Sequence, residues 1–261
     1  MSDINPYQQP QSDVMPAGRG GSITIVAPRR VGIGDALGWI GEGLRMLSGH
    51  WGAVLGALVV AFLINVALQF FPLLGGLIAM FVMNLLYAGI VKMFYRIDTE
   101  GRSDFADLFA AFSEKTAPVV LLAVIQLVIY LLVIVAMVAM MMGVMGFDAS
   151  SLQSMEHGAM PAAMSGSLIG MMGLFLLVFV VVGMLFYFAI PLVFLGDMGI
   201  GEAIGSSFRA CLKNILPLIV YGLVAMVMLL VGAIPLLLGW LFVMPVLAGA
   251  YYQSFKAVFV E

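Results

Sequence analysis

Six stretches of this chain are each long and apolar enough to cross a membrane, and they limit the possible folds more than any other feature. A helix needs about 20 apolar residues to cross the hydrocarbon core of a bilayer. None of the six carries an acid or a base away from its ends. The pattern predicts an all-α, polytopic transmembrane helical bundle with six spans: Trp51–Phe71, Leu73–Met93, Pro118–Met142, Leu168–Ile190, Ile215–Ile234 and Leu236–Lys256.

The composition is that of a membrane protein and excludes a soluble one. Apolar residues make up 63% of the 261 positions and charged residues 10%, and the mean hydropathy is +1.14. Soluble domains carry about 25% charged residues, so this chain lacks the polar residues to cover a water-facing surface. Because Cys211 is the single cysteine, no intrachain disulfide is possible.

Two regions are expected along the chain. Residues 1–32 are polar, contain four prolines and show no apolar period, which predicts a disordered cytoplasmic tail. Residues 33–258 form the six-span membrane domain. Within it, Pro72 and Pro235 separate the first and the last pair of spans. A proline ends one helix and can begin the next, so each pair is predicted to be a tight hairpin.

The basic residues predict how the chain crosses the membrane. With six spans, all 11 lysines and arginines fall on one side, and the connection from Gly143 to Ser167 contains none. The positive-inside rule makes the basic side cytoplasmic. We therefore expect a multi-pass protein of the bacterial inner (plasma) membrane with both termini in the cytoplasm.

Three connecting segments have the 3.6-residue period of amphipathic helices. Such helices suit the membrane interface, so three cytoplasmic interfacial helices are predicted; an extension of the following span is an equal alternative. The apolar stripes of the three segments are Ile33, Leu37, Ile40, Leu44 and Leu47; Phe105, Leu108, Phe109 and Phe112; and Ile200, Ile204, Phe208 and Cys211. Charged residues lie opposite the stripes, among them Asp107 in the second segment and Arg209 in the third.

The first and last thirds of the chain show an internal repeat. The run GIGDALG at 32–38 matches GIGEAIG at 199–205 in residue character. Later matches are Phe71-Pro72 with Ile234-Pro235, Ala88-Gly89 with Ala248-Gly249, and Tyr95-Arg96 with Phe255-Lys256. Each unit, including a middle one at 103–195, would hold a surface helix and two spans. Copies of this kind are expected to be parallel rather than inverted.

A family resemblance rests on three short runs: Gly-Ile-Gly-acid-Ala at 32–36 and at 199–203, and Asp-Phe-Ala-Asp-Leu-Phe at 104–109. With these runs, the chain resembles a family of uncharacterised multi-pass proteins of bacterial inner membranes. It is also distantly similar to the membrane domain fused to some glycerophosphodiester phosphodiesterases. The resemblance implies the fold of surface helices and paired spans. It implies no activity, because the chain has no counterpart of the phosphodiesterase catalytic domain.

The sequence contains no group of residues typical of catalysis. The two histidines, His50 and His157, are expected on opposite sides of the membrane, and no motif links His50 to Cys211. The glycine-rich runs lack the Gly-Lys-Ser/Thr ending of a phosphate-binding loop. Because no acid or base lies inside a span, proton-coupled transport is not favoured. We predict a protein that is not an enzyme and has no cofactor and no nucleic-acid partner.

Four amide side chains lie within the predicted spans: Asn65 and Gln69 on the first, Asn84 on the second and Gln126 on the third. An unpaired amide is costly in hydrocarbon, so interhelical hydrogen bonding is the favoured role and substrate binding the alternative. Asn84 and Gln126 lie at matched depths, roughly 12–14 Å from the cytoplasmic ends of their spans. We therefore expect these two side chains to meet.

Two further features concern packing and metal binding. The glycine pairs Gly52/Gly56 and Gly166/Gly170 predict close helix contacts. Ten methionines lie between residues 137 and 172, together with His157, on the side predicted to be external. Thioether and imidazole groups suit Cu(I), whereas methionine also fills apolar space adaptably. Whether this region binds metal is left open.

These observations support three functions from different classes. The first is a non-enzymatic scaffold or partner-binding protein, in contact with the lipid bilayer and with other membrane proteins or a second copy of itself. The second is a transporter or channel for a small neutral or hydrophobic solute, which requires a cavity lined by Asn65, Asn84 or Gln126. The third is Cu(I) handling through the methionine-rich external loop.

Overall fold

The chain folds almost entirely into helices. The structure, a computed structural model, describes residues 23–72, 74–145, 162–235 and 238–261, leaving the side chains of 143–145 and 162–168 aside. It is 81% helical and has no strand in these ranges, which confirms the all-α class. The helices are α1 (Asp35–Met46), α2 (Trp51–Gln69), α3 (Leu74–Glu100), a 3-10 helix (Phe105–Phe109), α4 (Ala110–Ser113), α5 (Thr116–Met145), α6 (Ala162–Phe186), α7 (Ala189–Phe194), α8 (Ile200–Lys213), α9 (Ile215–Ala233) and α10 (Trp240–Phe259).

Five helical segments are long and apolar enough to span a membrane: Trp51–Gln69, Leu74–Glu100, Thr116–Met142, Ile169–Phe194 and Ile215–Ala233. They correspond to five of the six predicted spans and identify a membrane-embedded protein. The remaining predicted span coincides with α10, whose second half carries the polar residues Gln253, Ser254 and Lys256. Its predicted start at Leu236 lies outside the described residues.

In each hairpin we call the first helix the outgoing helix and the second the returning helix. Tight turns at the predicted prolines join the two helices of the first and last hairpins. Pro72 lies in the turn between α2 and α3, and Pro235 in the turn between α9 and α10. Each turn also needs a glycine. A Cβ at Gly75 would lie 1.9 Å from the Leu68 carbonyl oxygen, and one at Gly239 would lie 2.5 Å from a backbone oxygen of α9. The two predicted hairpins are therefore confirmed at their turns.

The fourth predicted span, Leu168–Ile190, is not one continuous helix. Instead, α6 ends at Phe186 and α7 begins at Ala189. Pro191 explains the interruption, because it has no N–H to donate to the carbonyl of Tyr187, four residues earlier. The predicted span is therefore confirmed as a membrane-crossing segment, and the break within it is a feature that the hydropathy pattern did not predict.

Side chains from two other helices satisfy the backbone groups freed at this break. The Tyr187 carbonyl accepts a hydrogen bond of 2.5 Å from the Tyr251 hydroxyl of α10. The Ser207 hydroxyl of α8 accepts from the Phe188 N–H (2.9 Å) and donates to the Met184 carbonyl (2.8 Å). In an unbroken helix the Phe188 N–H would donate directly to the Met184 carbonyl. Here the Ser207 hydroxyl is inserted between these two groups. Unsatisfied backbone groups are costly away from water, so these contacts stabilise the break.

Each connecting helix packs against the returning helix of the hairpin before it. The 3-10 helix and α4 pack on α3, α8 packs on α6 and α7, and α1 packs on α10, which closes a ring. The backbones come very close at two of these junctions. An added Cβ at Gly89 of α3 would lie 2.0 Å from the Leu108 carbonyl oxygen, and one at Gly43 of α1 would lie 2.5 Å from the Ala250 nitrogen. The third junction is the Ser207 contact described above.

The connecting helices α1 and α8 approach the rest of the protein mainly through small residues. In α1 the buried residues are Ala36, Trp39 and Gly43, whereas Leu37 and Leu44 are 57% and 51% exposed. The buried face of α8 likewise consists of alanine, serine and cysteine side chains. Small side chains permit close approach of two backbones. Leu37 and Leu44 of α1 are consequently left on the outer surface of the bundle, whereas the apolar stripe of α8 is partly or fully buried.

Residues 23–32, which were predicted to belong to the disordered tail, form an ordered strap across two helix ends. The Val26 N–H donates to the Phe259 carbonyl at the end of α10 (2.8 Å). At the start of α9, the Asn214 side-chain oxygen accepts from the Val31 N–H (2.8 Å). The prediction of disorder was wrong for this strap, because two distant helix ends supply its hydrogen-bond partners. The residues before it lie outside the described part of the chain.

The returning helices form the core, and the outgoing helices surround them. In the most apolar 18 residues of each spanning segment, 44% of the residues are buried in α3 and 33% in α6–α7. The corresponding share is 17% in each of α2, α5 and α9. Aromatic rings join the returning helices. The Tyr251 ring of α10 lies 5.4 Å from the Tyr87 ring of α3 and 5.2 Å from the Tyr187 ring at the α6–α7 break. These separations are typical of favourable aromatic pairs.

Gly89→Ala is expected to destabilise the protein, because the new Cβ would force α3 and the 3-10 helix apart. Overpacking of this kind costs about 1–3 kcal/mol. We expect a loss of that size in the free energy of unfolding, measured in detergent micelles. The matched control is Gly173→Ala on α6, where an added Cβ would meet nothing within 4 Å. Alanine favours a helix over glycine, so the control should be at least as stable as the wild type. Equal stability of the two variants would contradict the close packing.

Candidate functional site

The predicted contact between Asn84 and Gln126 is confirmed. The Asn84 side-chain nitrogen donates to Gln126 Oε1 (3.3 Å) and to the Met80 carbonyl of its own helix (2.7 Å). Gln126 Nε2 in turn donates to the Tyr130 hydroxyl (2.9 Å). These side chains link α3 to α5 by hydrogen bonds inside the apolar region, where an unpaired amide would be costly. The geometry supports a packing role for the pair.

The two amides of α2 are not part of this chain of hydrogen bonds. Asn65 is half-buried and Gln69 is exposed, and both lie in the last part of α2 before the Pro72 turn. The structure thus brings together two of the four predicted intramembrane amides and leaves the other two apart.

Two apolar grooves lie between spanning helices. The first, of about 310 Å³, lies between α5 and α6 and includes Met137, Met140 and Phe175 in its lining. The second, of about 420 Å³, is bordered by α6, α8 and α9. Neither groove is lined by the amides that the transport hypothesis requires.

The outer part of the α5–α6 hairpin stands apart from the rest of the bundle. None of the described residues at 124–142 of α5 or at 169–181 of α6 is buried. In addition, α5 has 30 residues, whereas the outgoing helices α2 and α9 have 19 each. At 1.5 Å per residue these helices are about 45 Å and 28 Å long, for a hydrocarbon core of about 30 Å. The hairpin thus carries a long apolar surface that the described chain does not cover.

Ion pairs connect the helix ends on the side that the basic residues mark. Arg96 of α3 donates from one guanidinium nitrogen to both Asp107 oxygens, at 2.9 Å each. Lys256 of α10 lies 2.7 Å from Asp98 of α3, and Lys92 lies 2.6 Å from Glu114. These pairs join α3 to α10 and to the second connecting segment.

Asp107 corrects the prediction for the second connecting segment. Its side chain was expected on the polar outer face, but only 7% of it is exposed, because it turns inward to Arg96. Removing one partner of a buried pair leaves an uncompensated charge and is strongly destabilising. Asp107 therefore fixes this segment against α3 rather than facing water.

Among the described residues, His50 and Cys211 contact different partners rather than each other. His50 precedes α2, and its Nδ1 lies 2.9 Å from the Ser103 hydroxyl. Cys211 is buried in α8, and burial raises the pKa of its thiol to about 12. The thiol is therefore protonated at neutral pH, and the thiolate is the reactive form.

A metal site is not assembled within the described ranges, where no group of three or more His, Cys, Asp or Glu side chains could hold an ion. Residues 146–161 of the methionine-rich region, which include Met155, His157 and Met160, lie outside those ranges. The Cu(I) hypothesis thus stays a prediction.

Comparisons with protein-family models, with curated proteins and with solved structures give no match for this chain. The resemblance to multi-pass inner-membrane proteins and to the phosphodiesterase membrane domain stays a prediction.

The Asn84–Gln126 hydrogen bond should be measurable as a coupling free energy. In a double-mutant cycle with Asn84→Ala and Gln126→Ala, we expect about 0.6 kcal/mol and no more than about 1.7 kcal/mol, as for other interhelical hydrogen bonds in membranes. Unfolding in mixed micelles provides the measurement. Asn65→Ala with Gln126→Ala is the control cycle and should show no coupling. If the effects of Asn84→Ala and Gln126→Ala on the unfolding free energy add as fully as those of the control pair, the hydrogen bond between the two amides does not stabilise the fold.

Proposed function

We propose that this chain is a non-enzymatic protein of the bacterial inner membrane that binds another membrane protein through its α5–α6 hairpin. The observation that carries the proposal is the uncovered surface of that hairpin. Large apolar patches on a protein mark sites of interaction. Because α5 is longer than the hydrocarbon core is thick, lipid tails alone do not account for the whole surface.

The chemistry of the hairpin suits an apolar helix as partner. The most exposed large side chains on it are Leu132, Val135, Ile169, Met172 and Phe179, each at least 65% exposed. Gly170 and Gly173 of α6 leave open space where a Cβ would stand. Membrane helices associate through van der Waals packing at small residues, so the hairpin offers a surface of the right kind.

The strap at residues 23–32 supports a sixth span. It bonds to Asn214 at the start of α9 and to Phe259 at the end of α10, so those two helix ends lie on the same side of the bundle. Because α9 is long enough to cross the membrane, α10 must cross back to reach the strap. This arrangement accounts for the sixth predicted span despite the polar residues of α10.

The orientation and the surface helices follow from the same geometry. We place the ion-paired helix ends, the strap and both termini in the cytoplasm, in agreement with the positive-inside rule. The exposed apolar residues of α1, Leu37 and Leu44, then face the membrane interface, which is the position of an amphipathic surface helix. The ring of connecting helices on returning helices favours three parallel copies of one unit.

Photo-crosslinking in intact membranes tests the proposed interface. A photoreactive residue at Val135 or Met172 should form crosslinks to protein, because the hairpin is covered by a partner. The matched control is Leu230 of α9, which is 63% exposed and should face lipid. A product of twice the chain's mass identifies a second copy as the partner, and any other mass identifies a different protein. If Val135 and Met172 yield no more crosslinks than Leu230, the proposal is wrong.

Cysteine labelling tests the orientation. In a Cys211→Ala background, Ser151→Cys in the predicted external loop should react with a membrane-impermeant maleimide in intact cells. Arg102→Cys should react only after the cells are permeabilised. Arg102 is a suitable position because its side chain is 72% exposed. Labelling of Arg102→Cys but not of Ser151→Cys in intact cells would reverse the topology.

A further inference from the structure

The turn between α9 and α10 presents apolar side chains to its surroundings. From Gly222 to Ala250 the sequence contains no charged, amide or hydroxyl side chain, and Trp240 carries the single side-chain N–H group of this stretch. At the turn itself, Ile234 is 79% exposed and Leu238 is 61% exposed. Turns in contact with water commonly carry asparagine, aspartate or serine. The composition of this turn is therefore that of a segment in contact with hydrocarbon.

The one side-chain N–H of the stretch is turned inward. The Trp240 Nε1 donates to the Leu229 carbonyl of α9 (2.9 Å), although Trp240 is 37% exposed. A tryptophan at a membrane–water interface typically has its apolar ring in the membrane and its N–H toward water. A bond back to the neighbouring helix is what the indole needs where its surroundings offer no acceptor.

Backbone groups of the turn also bond within the hairpin. The Ile234 N–H donates to the Val231 carbonyl (3.2 Å), and the Leu238 N–H donates to the Pro235 carbonyl (3.0 Å). Pro235 has no N–H that would require a partner. Backbone groups that face lipid must be satisfied inside the protein. These bonds therefore make the turn compatible with a position inside the membrane.

Two observations place the turn short of external water. Helix α9 has 19 residues. It is thus about 28 Å long and reaches at most the outer edge of a hydrocarbon core of about 30 Å, and any tilt shortens its reach. The Phe242 ring, near the start of α10, lies 6.2 Å from the Trp51 ring at the start of α2. Because α2 starts on the cytoplasmic side, this contact holds the start of α10 away from the external surface.

The turn of the first hairpin differs in its polarity. Gln69, at the end of α2 and three residues before Pro72, is exposed. An unpaired amide is costly in hydrocarbon, so this turn needs water or lipid headgroups nearby. The residue three positions before Pro235 is Gly232, which has no side chain. The requirement for water is thus specific to the first hairpin.

We propose that the α9–α10 turn lies inside the hydrocarbon of the bilayer and is covered by lipid acyl chains. Lipid is favoured over a protein partner because membrane helices pack on each other through small residues, whereas Ile234 and Leu238 are large. Helices α9 and α10 still leave and return on the same side, as the strap requires. The inference does not depend on the α5–α6 hairpin or on its partner.

Power-saturation electron paramagnetic resonance distinguishes lipid, water and protein around the turn. Ile234→Cys and Leu238→Cys carry a nitroxide label in a Cys211→Ala background, in phosphatidylcholine bilayers. The collision partners are molecular oxygen, which concentrates in hydrocarbon, and a nickel(II) chelate, which stays in water. At both positions we expect frequent oxygen collisions and rare nickel collisions.

Three labelled positions serve as references. Leu223→Cys, midway along α9 and 53% exposed, gives the ratio of nickel to oxygen collisions for a lipid-facing residue. Arg102→Cys, whose side chain is 72% exposed, gives the ratio for a residue in water. The ratio at Ile234→Cys and Leu238→Cys should equal that at Leu223→Cys and be several-fold lower than that at Arg102→Cys. Phe71→Cys in the first turn is the matched control and should have a higher ratio than Ile234→Cys.

Three outcomes would overturn the proposal. Nickel collisions at the α9–α10 turn as frequent as at Arg102→Cys would place the turn in water. Rare collisions with both reagents would place it against protein. Equal ratios at Ile234→Cys and Phe71→Cys would remove the difference between the two turns from which the inference derives. Thermal midpoints of all variants establish that the comparison is made between folded proteins.

Discussion

Close backbone contact between helices is the interaction on which the rest of this structure depends. Lipid tails are as apolar as leucine, so burial of apolar side chains contributes little free energy to the association of membrane helices. The bundle instead relies on places where side chains are small enough for backbones to touch, such as Gly89 against the 3-10 helix and Gly43 against α10. At the third junction, between α8 and the broken α6–α7 helix, the Ser207 hydroxyl bonds to the Phe188 N–H and to the Met184 carbonyl. The three contacts join the connecting helices and returning helices into a ring and leave the outgoing helices facing lipid.

Hydropathy predicted the helices and the turns well, because a bilayer requires about 20 apolar residues in every span. Matched depth was also enough to predict the Asn84–Gln126 pair, since an amide in hydrocarbon needs a partner. The break at Tyr187 was missed. Pro191 indicates a possible break in the helix. The break is stable only because Ser207 and Tyr251 bond to the freed backbone groups, and both residues are distant from Pro191 in the sequence.

The faces of the connecting helices could not be predicted from amphipathicity. A helical period identifies where the large apolar residues lie, and in a soluble protein that face packs on the core. Here Leu37 and Leu44 point outward, and Ala36 and Gly43 make the protein contact. The same reasoning misplaced Asp107, whose partner Arg96 belongs to another helix. Of the glycines chosen from their spacing, Gly52 and Gly170 have no close neighbour, because an added Cβ there would meet nothing within 4 Å, whereas one at Gly56 would lie 3.8 Å from the Phe105 ring.

The basic residues perform two separate tasks that a count along the sequence does not distinguish. Orientation in the membrane depends on the number of lysines and arginines near each span. Joining the helix ends depends instead on which acidic side chains those charges meet in the folded protein. Six of the described basic residues form ion pairs, among them Arg96 with Asp107 and Lys256 with Asp98. The two ends of α6 likewise have different surroundings: at the break, side chains of α8 and α10 complete its hydrogen bonds, whereas the outer hairpin exposes an apolar surface. A single broken helix thus belongs both to the closed core and to the surface that the chain leaves open.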